Sequence, residues 1–373
     1  MVTRNPGLLN GNKLKLGLFG ANCSGGLAFI RLPERWNGSW EGNERLAIFA
    51  DQAGFECMVP IARWSGFGGA SNVNSKSWET LTWATALLAK TTRITVFGTV
   101  HAPMVHPVFA AKQMVTADHV GRGRFGLNIV CGWNKSEFDM FGVQALAHDR
   151  RYKYGEDWFN VVKSVWAAKE PQDYTSEFFD LKKLTGEPAP HGGVAPITMS
   201  AGASETGRAF AIRNVDLHYD YCRTPEESRD RITETKALAK AAGRNIHVWI
   251  PASVVCRETR ELAQQYAMHC VNNADWEALD EQYRLYTGAF GSKTRSSAET
   301  EYVRHQQQVR AVLGYGGSYS LCGSPDDVAE QLARLSDAGF DGVAISFVNY
   351  LEEMPFFVQE VLPRLARKGL RAQ

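Results

Sequence analysis

Paired cysteines are missing from this chain. Its seven Cys residues stand at 23, 57, 131, 222, 256, 270 and 322, an odd, dispersed set with no C-x-x-C among them. That pattern excludes a disulfide framework and a zinc site, and fits reduced thiols. Net charge is nearly absent too: 41 Lys and Arg against 40 Asp and Glu leave +1. No basic stripe stands out, so the chain carries no electrostatic footprint for nucleic acid. No window approaches the ~18 uninterrupted apolar residues of a bilayer crossing, and Met1–Pro6 holds no apolar core of signal-peptide length. The expectation is a cytoplasmic protein without membrane or nucleic-acid partners. No metal is expected, since His101 and His106 are spaced off a clean helical face.

What is present is a regular alternation. Hydrophobic residues make up 44% of 373, enough for a substantial core. Short apolar runs, read as strands, fall at 14–19, 55–61, 93–100, 125–130, 197–200, 216–222, 246–256 and 342–347, separated by helical patterns. Ser77 reads as an N-cap with Glu79 in the first turn, Pro107 as a first-turn residue, and Ser324-Pro325 as a helix start. Pro251 suggests a bulge or an irregular strand end. Eight strand–helix repeats with no break in composition predict a single (β/α)8 TIM barrel over residues 1–373. Insertions are expected near 170–195, with a hairpin at 174–184, and near 274–320. The second, with its Gly/Ser-rich Gly288–Ser297, is a candidate lid from Asn273 to Tyr319. An open doubly wound sheet is the alternative, but Asn22–Gly26 lacks the Gly-rich turn expected after its first strand.

Gly121, Gly123 and Gly126 spell G-x-G-x-x-G. A dinucleotide site needs a strand before that pattern and a helix after it. Here a helical stretch precedes it and the run Phe125–Val130 follows, so the glycines read as a turn into a strand. In a TIM barrel the site lies at the C-terminal strand ends. The polar and glycine positions there are Thr99 and His101, Asn128 and Trp133, Gly202 and Ser204, and Ser253. Asn128 sits inside an apolar strand, where an unpartnered amide costs about 1–3 kcal/mol.

Two linked motifs go further. Gly123-Arg124, Asn128 and Val130 to Gly132-Trp133 are followed by His148-Asp149-Arg150-Arg151-Tyr152. They resemble the bacterial-luciferase-like superfamily of flavin-dependent monooxygenases, where a G-G-R-x-x-x-N-[LIV]-V-[TS]-G-W strand precedes H-[DS]-x-R-Y. Cys131 stands where that family has Thr or Ser. The likeness spans nearly the whole chain, through Ser24-Gly25-Gly26, Ala53-Gly54-Phe55, Gly66–Gly69 and Ala110–Gln113. It looks nearest to the dimethyl sulfone and pyrimidine monooxygenase branches.

The resemblance implies FMN, used as FMNH2, with O2 as co-substrate and a flavin (hydro)peroxide as the oxidant, its attachment at N5 or C4a left open. It places Tyr152 and Ser204, beside Gly202, at the FMN phosphate, where a helix start would also favour an anion. Arg151, Glu137 and Asn128 would line the cofactor, with Ala62-Arg63 along the isoalloxazine. Thr99, Asn128 and Trp133 match a trio around the dioxygen site, the first two as hydrogen-bond donors and Trp133 excluding water. Without a nicotinamide fingerprint, reduced flavin is expected from a separate NAD(P)H-dependent flavin reductase. A homodimer or homotetramer is implied as well. Sulfonate-oxidising members carry cationic or ionisable anchors where this chain has Pro251, Ser253, Tyr315 and Tyr350. A buried sulfonate would then lack partners, so the expected substrate is small and neutral, a sulfone or a cyclic amide or other N-heterocycle. Trp64, Ser253, Tyr315 and Asn349 are its candidate contacts. Deazaflavin-dependent hydride transfer and flavin binding without turnover are the alternatives.

Overall fold

The computed structural model describes residues 5, 7–202, 204–290, 309–315 and 318–372, with 287–290 as backbone only. Its strands are β1 (Lys15–Phe19), β2 (Cys57–Val59), β3 (Thr95–His101), β4 (Phe125–Val130), β5 (Gln172–Thr175), β6 (Asp180–Leu184), β7 (Ile197–Ala201), β8 (Leu217–Tyr219), β9 (His247–Cys256), β10 (Tyr319–Gly323) and β11 (Gly342–Ser346). Among the described residues the helices of six or more residues are α1 (Trp40–Gln52), α2 (Thr80–Lys90), α3 (Pro107–Val120), α4 (Lys135–Met140), α5 (His148–Ala167), α6 (Glu205–Asn214), α7 (Pro225–Ala241), α8 (Arg260–Asn272), α9 (Trp276–Phe290), α10 (Pro325–Asp337) and α11 (Tyr350–Arg367). The parallel order β9-β11-β1-β2-β3-β4-β7-β8 closes through β8–β9 pairing, Leu217 against His247. This is the expected TIM barrel. β5 and β6 form the expected antiparallel hairpin outside it.

Alternation along the strands fixes what faces inward. Cys57, Val59, Phe97, Ile197, Met199, Leu217, Tyr219, Trp249 and Ala344 cluster in the lumen. The intervening Met58, Val96, Leu127, Val248, Val343 and Ile345 pack outward against the helices. Trp249 fills the lumen only because Gly342 lies beside it: a Cβ there would stand 2.3 Å from its ring. By the same alternation Thr99, His101, Asn128 and Ser253 face inward at the C-terminal end, with Thr99 and Asn128 in register.

Two local expectations are corrected. Pro251 neither bulges nor ends β9, which runs unbroken and pairs Pro251 with Ala344. Backbone atoms of His247 and Trp249 bond to the β8 side, so the donorless nitrogen of Pro251, two residues on, faces the seam where β8 stops and β10 begins. A proline costs no ladder bond there. The cap of α2 is Glu79, whose carboxylate accepts from Leu81 N at 3.0 Å and Thr82 N at 2.8 Å. The Ser77 hydroxyl instead donates to Arg63 O at 2.6 Å, holding the loop after β2. β10 lies at the end of a stretch read only as an insertion. Among the described residues no helix is long and apolar enough to cross a membrane.

At the N-terminal end of the barrel Glu56 and Arg371 form a buried ion pair, Oε2 to Nη1 at 2.7 Å, with side chains 1% and 5% exposed. Glu56 also accepts from Leu16 N, Asn10 and Asn12. Arg371 donates to the carbonyls of Leu14 and Gly54. The pair ties the last described residues of the chain to the start of β1 and β2.

Candidate active site at the C-terminal mouth

The mouth is assembled by the segments that follow each strand. Asn22, just after β1, accepts from Ile61 N at 2.9 Å and donates to Ile61 O at 2.8 Å. This fixes the chain where Ala62 and Arg63 begin the β2–α2 loop. The Thr99 hydroxyl donates to Pro60 O at 2.7 Å and accepts from Asn128 Nδ2 at 3.1 Å. Its single proton is therefore already committed. What the pair presents to the lumen is the Asn128 amide, whose Oδ1 is buried without a partner among the described residues. The sequence marked both as donors; in the structure Thr99 positions Asn128.

Arg63 lies over the rings of Phe67 at 4.1 Å and Trp133 at 5.5 Å, and its Nη2 donates to Ser65 O at 2.9 Å. Its Nε is 3.5 Å from Glu137 Oε1, with side chains 1% and 0% exposed. Glu137 reaches the loop from α4 and also accepts from Trp64 N at 3.0 Å. Burial pushes the Glu137 carboxyl above its ordinary value, and Arg63 pulls against that rise. The two charges offset each other inside the protein. Trp133 stacks on Tyr286 of α9, ring centroids 4.7 Å apart, and Tyr286 meets Tyr315 edge-on. Tyr286 was not among the expected residues, because it lies in the stretch read as an insertion. Residues 291–308 and 316–317 of the expected lid, most of Gly288–Ser297 included, lie outside the described residues.

A second cluster sits at the start of α6. Ser204 is its N-cap, accepting from Gly207 N at 3.1 Å. Tyr152, from α5, is hydrogen-bonded to Ser204; burial raises its phenol above the usual value and that bond opposes the rise. The fit is close: a Cβ on Gly207 would lie 2.6 Å from the Tyr152 hydroxyl and 2.8 Å from the Gly202 Cα. Arg151 donates to Gly132 O at 2.6 Å, joining α5 to the end of β4. A helix N-terminus with its dipole, beside two hydroxyls, is a place of the kind that favours an anion.

The remaining expected residues divide. Ser253 Oγ and Tyr315 Oη are buried and have no partner among the described residues. Trp64 stands at the rim, 41% exposed, edge-on to Phe141. Asn349 is used elsewhere: its side chain caps α11 through Leu351 N at 3.2 Å and donates to Glu34 O at 2.9 Å. Of the four neutral replacements, Tyr350 is also spent, its phenol donating to Phe19 O. Among the described residues no cluster of three or more His, Cys, Asp or Glu could hold a metal.

A closed barrel with a helix N-terminus and unspent polar atoms gathered at its C-terminal mouth has the plan of a barrel enzyme with its site there. The family profile described as "Luciferase-like monooxygenase" matches residues 25–342, and the chain belongs to that family of enzymes. It is 28% identical over 354 residues, covering 94% of each chain, to the FMNH(2)-dependent dimethylsulfone monooxygenase of Pseudomonas fluorescens (strain Pf0-1). To the pyrimidine monooxygenase RutA of Serratia proteamaculans (strain 568) it is 26% identical over 364 residues, 95% of this chain and 96% of that one. The crystal structure of DmoA from Hyphomicrobium sulfonivorans aligns with a TM-score of 0.83 over 97% of this chain and 89% of that one, at 19% identity. The last likeness shows the fold alone.

Proposed function

We propose that this chain, acting as one catalytic unit over residues 1–373 and as a homo-oligomer, is an FMNH2-dependent monooxygenase. It oxidises a small uncharged molecule with O2, a separate NAD(P)H-dependent reductase supplying the reduced flavin. The observation that carries the reading is the Asn128 amide, buried at the mouth, whose Nδ2 spends one of its two protons on Thr99 and keeps the other to donate. The residues present fit FMN. Ser204, Tyr152 and the α6 N-terminus would take its phosphate, while Ala62, Arg63, Glu137 and Arg151 would line it. When bound, reduced FMN supplies the electrons that activate dioxygen. Asn128 has a second Nδ2 proton to offer where charge develops on oxygen, and a fixed donor in a dry site is effective there. Trp133, covered by Tyr286, keeps water away. The neutral groups at 251, 253, 315 and 350, with Arg63 already offset by Glu137, support an uncharged substrate: an unpaired anion would be costly to bury.

Ser204→Ala and Tyr152→Phe are each expected to weaken FMN binding about tenfold, the worth of one charge-assisted hydrogen bond. Fluorescence titration measures this; wild-type affinity in both variants would place the phosphate elsewhere. A coupled assay with a flavin reductase and a panel of sulfones, lactams, pyrimidines and alkanesulfonates tests the charge argument. Turnover is expected only among the uncharged members. Oxidation of a sulfonate with no neutral compound consumed would overturn it.

A further inference from the structure

Beside the mouth lies a cavity of about 170 Å3. It sits between the end of β3, the starts of α2 and α3 and the loop after β2. Its outer walls are Trp64, Trp78, Met104, Phe109 and Phe141; Trp64, Trp78 and Phe109 are 41%, 41% and 60% exposed. Thr99, Arg63 and His101 line it as well. Several polar groups along the cavity are already engaged. The Glu79 carboxylate caps α2, and the Thr80 hydroxyl donates to Thr99 O. Two buried groups are not: His101 Nδ1 and Arg63 Nε and Nη1 have no hydrogen-bond partner among the described residues. His101 and Arg63 are only 5% and 4% exposed. Burial, reinforced by the Arg63 charge, pulls the His101 imidazole down to about 4, so it stays neutral near pH 7.

Resting on the monooxygenase reading, we propose that this cavity receives the apolar body of the substrate, a single ring or short alkyl group, while His101 and Arg63 donate hydrogen bonds to a carbonyl or sulfonyl oxygen on it. The size suits such a group, since an apolar cavity of roughly 150 Å3 holds a benzene ring. The wall of Trp, Met and Phe offers dispersion and no charge. Arg63 already faces Glu137, so a ligand carboxylate or sulfonate would add an unmatched buried charge. His101 is a specificity residue in this account, contacting substrate and transferring no proton.

The test uses wild-type protein with FMN bound and methionine methyl groups labelled for NMR, Met104 being assigned through Met104→Leu. Acetophenone, one ring with one carbonyl, is the neutral probe, and benzoate is its anionic counterpart of similar size. Acetophenone is expected to shift the Met104 methyl signal saturably, and benzoate at the same concentration to leave it unmoved. Met104→Trp, which fills the cavity, and His101→Phe, which removes the anchor, are each expected to weaken acetophenone at least about tenfold, one buried hydrogen bond or one ring's packing. FMN affinity should not change in either. A Met104 signal that ignores acetophenone while FMN is bound, or benzoate binding as tightly, would overturn the cavity assignment alone. Failure of the wild type to bind FMN would overturn the monooxygenase reading instead. The wild-type titration decides the matter even if neither variant folds.

Discussion

Asn128→Ala is expected to lower coupled oxygenation about a hundredfold, the scale set by deleting one fixed donor to a developing oxyanion, with FMN affinity nearly unchanged. The reason is the division of labour at the end of β3 and β4. Thr99 gives its proton to Pro60 O and receives one from Asn128, so only the amide has a hydrogen left to offer. Electrons delivered to O2 without that donor should leak to H2O2. Steady-state product yield measured alongside H2O2 would show it. Thr99→Ala should act in the same direction but more weakly, by loosening Asn128, and Thr99→Ser should restore coupling because the serine hydroxyl can make both bonds. A coupling ratio in Asn128→Ala equal to that of the wild type would refute the assignment.

The second large effect is on stability. Glu56→Ala is expected to destabilise the fold by about 3–5 kcal/mol, the usual result of leaving one member of a buried ion pair alone. The buried Arg371 guanidinium would be left with its charge unmatched, and Leu16 N would lose its acceptor. Denaturant unfolding monitored by circular dichroism measures the loss. The double change Glu56→Ala with Arg371→Leu should cost less than Glu56→Ala alone, since no buried charge is left over. A Glu56→Ala loss below about 1 kcal/mol, the level of an exposed pair, would show that the network is hydrated and weak.

These two effects differ in how far the sequence reveals them. Asn128 is conspicuous as the one amide in an apolar run whose bounds, Phe125–Val130, match the structure. Its tie to Thr99 follows once both strands are placed, because the two residues are in register. Glu56 and Arg371 are 315 positions apart, and no local pattern links them. Ser204 announces itself as a cap before Glu205. Glu79 does not, because Ser77 is the better capping residue by type and only the path of the loop gives it to Arg63 O. β10 escapes notice because Tyr-Ser-Leu-Cys-Gly is no continuous apolar run and only Leu321 and Gly323 in it are buried, and its pairing depends on β9 outlasting β8. Pro251 misleads for the same reason: a proline penalty depends on whether a neighbouring strand is present, which the residue itself cannot say. Tyr286 and the cavity at His101 arise from packing between distant segments.

The most direct test of the central claim is turnover under isotopically labelled dioxygen. Wild-type protein, FMN, a flavin reductase and NAD(P)H would be incubated with a neutral substrate from the panel, and the product read by mass spectrometry. The account predicts one labelled oxygen atom in the product for each substrate molecule consumed, and loss of turnover when dioxygen is withheld. Unlabelled product, or turnover supported by reduced deazaflavin in the absence of dioxygen, would contradict it.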